Sequence, residues 1–117
     1  MEKWNDIVEA LKNAGIDAYP PAYRTGICTS PYCVVQQCGG KRASAKRSGS
    51  AKYRIHILVP ADEYPTLSEM GERVRSALAP LVESGALREL VTRSTTVVDN
   101  VFAAHSCYVE YASEYTV

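Results

Sequence analysis

Tyr53-Arg54-Ile55-His56-Ile57-Leu58-Val59-Pro60 is the stretch on which the fold turns. Tyr53, Ile55, Ile57 and Val59 alternate with Arg54, His56 and Leu58, and a period of two puts the two sets on opposite faces of a strand. β-branched residues at Ile55, Ile57 and Val59 suit a pleated, half-buried surface. Pro60 ends the run because it cannot donate to a ladder. One face of this strand is wholly apolar and needs a cover.

Covers are found on both sides of it. Toward the N-terminus, Trp4, Ile7, Val8 and Leu11 recur at three- and four-residue spacing, which predicts a helix over residues 2–14 with Gly15 as its left-handed stop. Beyond Pro60, Leu67, Met70, Val74, Leu78 and Leu81 make a second amphipathic stripe. Thr66-Leu67-Ser68-Glu69 has capping-box spacing, and Pro80 is expected to end or kink that helix.

Tyr32 to Cys38 is read as a strand preceding the central one. Ile16 to Pro31, with three prolines, is read as an irregular connection. Leu87 to Val98 and Val101 to Ala112 are read as a hairpin closed by Asp99-Asn100. That register sets Val98 against Val101, Ser94 against His105, Thr92 against Cys107 and Glu89 against Glu110. Its uncharged face, from Leu90 to Val98 and from Val101 to Val109, is assigned to the core; like charges at Glu89 and Glu110 call for a bulge or a frayed end. The expected fold is α+β, in the order α-β-β-α-β-β, with an antiparallel four-stranded sheet and two helices on one face.

The chain has 117 residues, enough for a single domain spanning 1–117. No apolar run approaches the roughly 18–20 residues needed to cross a bilayer. The first residues carry no basic-then-apolar secretory pattern, so synthesis in the cytoplasm and reduced cysteines are expected.

Formal net charge is zero, yet Ala18 to Ala61 holds seven bases and no acid, while Asp62 to the end holds nine acids and four bases. Five of the seven bases, Lys41, Arg42, Lys46, Arg47 and Lys52, fall in residues 39–52, a stretch without a large apolar side chain. It is read as a mobile loop between strands. These cations suit contact with another subunit or with phosphates, each neutralised phosphate adding salt-dependent affinity. Base stacking is not expected, because the loop has no aromatic residue.

Cys28, Cys33 and Cys38 are spaced by five, and three thiolates with His56, His105 or Cys107 would make a zinc set. Against that, no tight two-cysteine knuckle is present, and Cys33 and Cys38 on one strand point to opposite faces. Small apolar packing is the preferred reading of the cysteines. No nucleophile with an orienting partner attends His56 or His105, and His105 on an apolar face reads as a packed histidine. Gly39-Gly40-Lys41 does not open a helix, which removes a phosphate loop. Neither an enzyme nor a bound cofactor is expected.

The short N-terminal helix with its Gly15-Ile16 exit, the variable loop, the strand ending at Pro60, the helix reading Met70-Gly71-Glu72-Arg73-Val74-Arg75-Ser76-Ala77-Leu78 and the closing hairpin together resemble the tail-terminator (tail-completion) proteins of long-tailed phages and prophages. The likeness is one of layout and spans nearly the whole chain. It implies a structural virion protein made in the bacterial host cytoplasm. It also implies a hexameric ring that caps the tail tube, touching the tail-tube and head-connector proteins, with DNA passing through its channel. The family supplies no catalytic or metal residue to carry over. The alternatives are a small nucleic-acid-binding module using the basic loop and a cysteine-based zinc domain.

Overall fold

The computed structural model describes residues 3–43, 48–91 and 93–116, with backbone alone over 39–43, 48–50 and 114–116. The elements in order are α1 (Trp4–Asn13), β1 (Ala18–Tyr19), β2 (Tyr32–Ala43), β3 (Ser48–Pro60), a 3₁₀ turn (Ala61–Glu63), α2 (Thr66–Glu83), β4 (Arg88–Val91), β5 (Val97–Asp99) and β6 (Ala104–Thr116). One six-stranded sheet runs β1-β2-β3-β6-β4, with β5 also on β6.

The class is α+β, but the expected four-stranded antiparallel sheet is corrected to a six-stranded mixed one. The parallel element is β1 against β2, where Ala18 faces Cys33 and Tyr19 faces Val34. Two residues between a helix exit and Pro20-Pro21 leave no periodic trace, so the strand is invisible in the sequence. It forms because Cys33 N–H donates to Asp17 O at 2.8 Å once the 20–31 segment has looped back. The single closing hairpin is corrected as well: its first arm is broken into β4 and β5.

β3 is the centre of the sheet. Cys33, Ile57 and Cys107 line up across β2, β3 and β6, as do Val35, Ile55 and Val109. These side chains share one core with Ile7 and Leu11 of α1 and with Leu67, Met70, Val74 and Leu78 of α2. Full burial of such side chains contributes about 1.5–3 kcal/mol each.

α1 ends in a Schellman motif: Ile16 N–H donates to Leu11 O, Gly15 N–H donates to Lys12 O, and Gly15 sits at φ +79°. Arg73 of α2 reaches back to the Ala14 and Gly15 carbonyls at 3.4 and 3.5 Å, tying the helices together. The capping box does not form. Thr66 Oγ1 instead donates to Glu63 O at 2.7 Å, because the 3₁₀ turn already supplies a backbone lead-in and Pro65 is the cap. Pro80 does not end α2, which continues to Glu83. The carbonyl that Pro80 leaves without an amide partner belongs to Ser76, an exposed residue within reach of water.

The expected hairpin register is replaced by a wider one. The turn occupies residues 100–103, so Val98 faces His105, and Ser94 exchanges bonds with Tyr108 instead of His105. Thr92, the expected partner of Cys107, lies outside the described residues. A bulge in β4 puts Glu89 opposite Tyr111 and Val91 opposite Glu110, which separates the two carboxylates. The one-residue slip turns Glu89 to the helix side. There it accepts from Arg75 at 3.0 Å and from Tyr111 Oη at 3.4 Å.

The expected loop at 39–52 is strand for most of its length. Lys41 faces Ser50 and Arg42 faces Gly49 on the backbone ladder, and Lys52 is an exposed residue of β3. Lys46 and Arg47 lie outside the described residues.

Candidate functional site

The face of the sheet away from the helices carries the polar chemistry. Arg54, His56 and Leu58 of β3 emerge there, as their alternation requires. Their neighbours are Gln36, Val34 and Tyr32 on β2 and Glu110, Tyr108 and Ser106 on β6. At the Pro60 end this face is partly covered. Cys28, Tyr32, Leu58 and Ala104 form a second, smaller core, with Tyr19, Val34 and Phe102 packed on it. Cys28 N–H donates to Phe102 O at 2.7 Å, which ties the 20–31 segment to the 100–103 turn.

Between that segment and the sheet lies a pocket of about 380 Å³. Its floor is Tyr32, Val34 and Leu58; Gln36 and His56 close one end, and Arg24, Asp99 and Phe102 stand around it. The Arg24 guanidinium carbon lies over two rings that stand at 73° to each other, 5.2 Å from the centre of Tyr19 and 4.8 Å from that of Tyr32. It also donates to Tyr19 Oη at 3.3 Å. Asp99 Oδ1 accepts from the Val101 and Phe102 amides, both at 3.0 Å, which shapes the turn.

Beside the pocket a polar ladder crosses the sheet. His56 Nε2 and Gln36 Oε1 are 3.0 Å apart; since the amide oxygen only accepts, Nε2 carries the proton. Burial, and secondly the Arg54 charge, hold the His56 imidazole below its ordinary value. Arg54 lies over the Tyr108 ring at 4.1 Å and bonds Glu110. That bond is the main reason the Arg54 guanidinium is pushed up from its ordinary value.

The cysteines do not converge. Cys33 and Cys107 belong to the helix-side core, and Cys28 to the small core on the other face. Cys38 is half-buried further along β2. Burial raises the Cys28 and Cys107 thiols and pushes the Cys33 thiol up to about 12, against thiolate formation. Among the described residues no three His, Cys, Asp or Glu side chains gather where they would hold a metal. The histidines are separated as well. His56 is on the open face, whereas His105 pairs with Val59 and packs its ring 4.6 Å from Tyr64. His105 Nδ1 is buried without a partner among the described residues.

Sequence reasoning overlooked Arg24, Tyr19, Gln36, Tyr108 and Glu110. They come from four separate segments, and no spacing rule joins them. The pairing of β3 with both β2 and β6 is what brings the ladder together.

Lys41, Arg42 and Lys52 lie on strands that continue toward the other end of the sheet. Past Val34, β2 has no strand on its outer edge among the described residues. Past Ala112, β6 has none on its outer edge either. Neither a family model nor a curated protein matches the chain.

Proposed function

We propose that the chain is a structural assembly protein of the tail-terminator kind, a subunit of a ring that caps a phage tail tube and meets the head connector. The observation that carries this reading is the arm formed by β2, β3 and β6. The described core reaches Ala51 and Ser113, and the three-stranded ladder continues beyond them to Ala43, Ser48 and Thr116. With no further strand on either outer edge among the described residues, the arm is a template for a neighbouring chain. The molecule is correspondingly long, 50 × 25 × 23 Å.

The other end is different. The β5–β6 turn sits beside Pro60, twelve residues along β3 from Ser48 and hence roughly 40 Å away. It exposes Val98 at 60 % and Val101 at 79 %. Two unlike ends favour head-to-tail contacts, which close into a ring when the rotation permits. The basic stretch and the acidic remainder of a chain with zero net charge favour the same arrangement. Six subunits, the tail-tube and head-connector partners and a DNA-filled channel come from the resemblance in layout.

Gly40 and Ala51 are ladder partners, so residues 41–50 can be replaced by a two-residue Asn-Gly turn. The shortened chain is expected to fold as a monomer, to form no ring by native mass measurement, and to fail in joining heads to tails. Rings and normal joining from the shortened chain would take the arm out of the mechanism. A nucleic-acid module is the second reading, because Lys41, Arg42 and Lys52 share the arm. It requires DNA binding with a steep salt slope in a chain that forms no ring.

A further inference from the structure

The pocket between the 20–31 segment and the open sheet face shares Asp99 and Phe102 with the turn end proposed above as a ring contact. We propose that it binds a monoanionic carboxylate with an apolar body, the carboxylate on the Arg24 guanidinium and the body on Tyr32, Val34, Leu58 and Phe102.

Four observations define this ligand. The first is size: about 380 Å³ lies at the small end of ligand pockets, enough for one or two residues of peptide or an aryl acid. The floor is next, and it is mostly apolar and aromatic, so it rewards a hydrophobic body.

Arg24 is the third. Its guanidinium is held against the Tyr19 and Tyr32 rings, and one of its five donors is spent on Tyr19 Oη. No carboxylate lies within ion-pair distance of it among the described residues. A guanidinium held against two rings keeps its remaining donors for a planar, two-oxygen acceptor, and carboxylate geometry fits that fork.

The fourth is total charge. Among the described residues Arg24 is the one cationic side chain of the lining; His56 is biased to its neutral form, and Asp99 adds a negative charge. With Arg24 and Asp99 offsetting each other, a monocarboxylate adds one net negative charge to the lining and a phosphate dianion adds two, which favours the monoanion. The Gln36 side-chain amide keeps its N–H donors, since its oxygen faces His56, and those donors suit a polar group at the far end of the ligand.

The experiment is a two-dimensional amide NMR titration of the full chain with four probes. These are 3-phenylpropionate, its amide, N-acetyl-Leu-Phe as the free acid, and the same dipeptide as the C-terminal amide. Millimolar dissociation constants are expected for such small ligands. The acids should move the Gln36 side-chain amide and the Phe102 backbone amide saturably. Their amides should bind at least about tenfold more weakly, the loss expected when a charge-assisted pair becomes a neutral bond.

Tighter binding of the dipeptide acid assigns the pocket to a polypeptide C-terminus; equal or tighter binding of phenylpropionate assigns it to a free carboxylic acid. Arg24→Gln should abolish the preference for acid over amide. Should that variant lose its folded spectrum, Ser106→Phe serves instead: it narrows the pocket from β6, across β3 from the strands that carry Tyr19 and Tyr32, and should reduce binding of both acids. Equal binding of acids and amides, no saturable shift, or unchanged binding by Ser106→Phe would each overturn the assignment. Ring formation is read separately by mass, so failure here leaves the assembly proposal standing.

Discussion

Arg54 and Glu110 stand directly opposite each other on β3 and β6, and two guanidinium nitrogens converge on one oxygen, Glu110 Oε2, at 2.8 and 3.0 Å. The pair is lopsided: the glutamate side chain is 10 % exposed and the arginine 34 %. Removing the arginine strands a largely buried carboxylate. Arg54→Met is therefore expected to cost about 1–3 kcal/mol, below the fully buried case because water still reaches the arginine. Adding Glu110→Leu should recover much of that loss. Urea unfolding of both variants checks the order; a double variant weaker than the single one would contradict it.

Stability should fall in mild acid on account of His56. Its folded-state value lies below the ordinary 6.5, by burial first and by Arg54 second. The folded form thus binds fewer protons than the unfolded one between those two values. The contribution is complete above about 6.5, declines as pH drops toward the folded value, and levels off once both forms are protonated. His56→Gln should flatten this part of the curve. Urea midpoints between pH 7.5 and 5 report it, and an unchanged slope in the variant would remove His56 as the cause.

Thiol labelling should follow the sheet. Cys33 and Cys107 are buried under the helices with raised values, and Cys28 is buried in the small core with a raised value. Cys38 is half-buried outside both cores. Iodoacetamide on the native protein should modify Cys38 first, and the other three at rates set by unfolding. Peptide mass mapping over time gives the order, and early modification of Cys33 would contradict the packing described here.

Ala103 holds φ at +50° in the turn before β6, a conformation that costs a side-chain-bearing residue about 1–2 kcal/mol. Ala103→Gly relieves that and adds unfolded-state entropy. A net gain of about 0.5 kcal/mol, or roughly 2–4 °C in melting temperature, is expected. Differential scanning calorimetry tests the sign.

Much of the frame was legible. Alternation from Tyr53 to Val59, the stripes at Ile7–Leu11 and Leu67–Leu78, and the Gly15 stop correspond to β3, α1, α2 and the Schellman turn. The errors share one origin. β1 is two residues long and held by a partner distant in sequence. The β4 bulge and the 100–103 turn were chosen by what the far strand offered. Thr66 found Glu63 O closer than the capping geometry its spacing suggested. The pocket was illegible for the same reason, since Arg24 matters only where Tyr19 and Tyr32 flank it.

Period and punctuation are local properties, because side-chain direction repeats along the backbone whatever lies nearby. They sufficed to determine that this chain makes two amphipathic helices and a central strand with one apolar face. Register, the parallel edge, the separation of the cysteines and the pairing of Arg54 with Glu110 depend on contacts between residues far apart in the chain. Those contacts are selected by the packing of the whole sheet, where a slip of one residue exchanges inside for outside, and only the tertiary structure decided them.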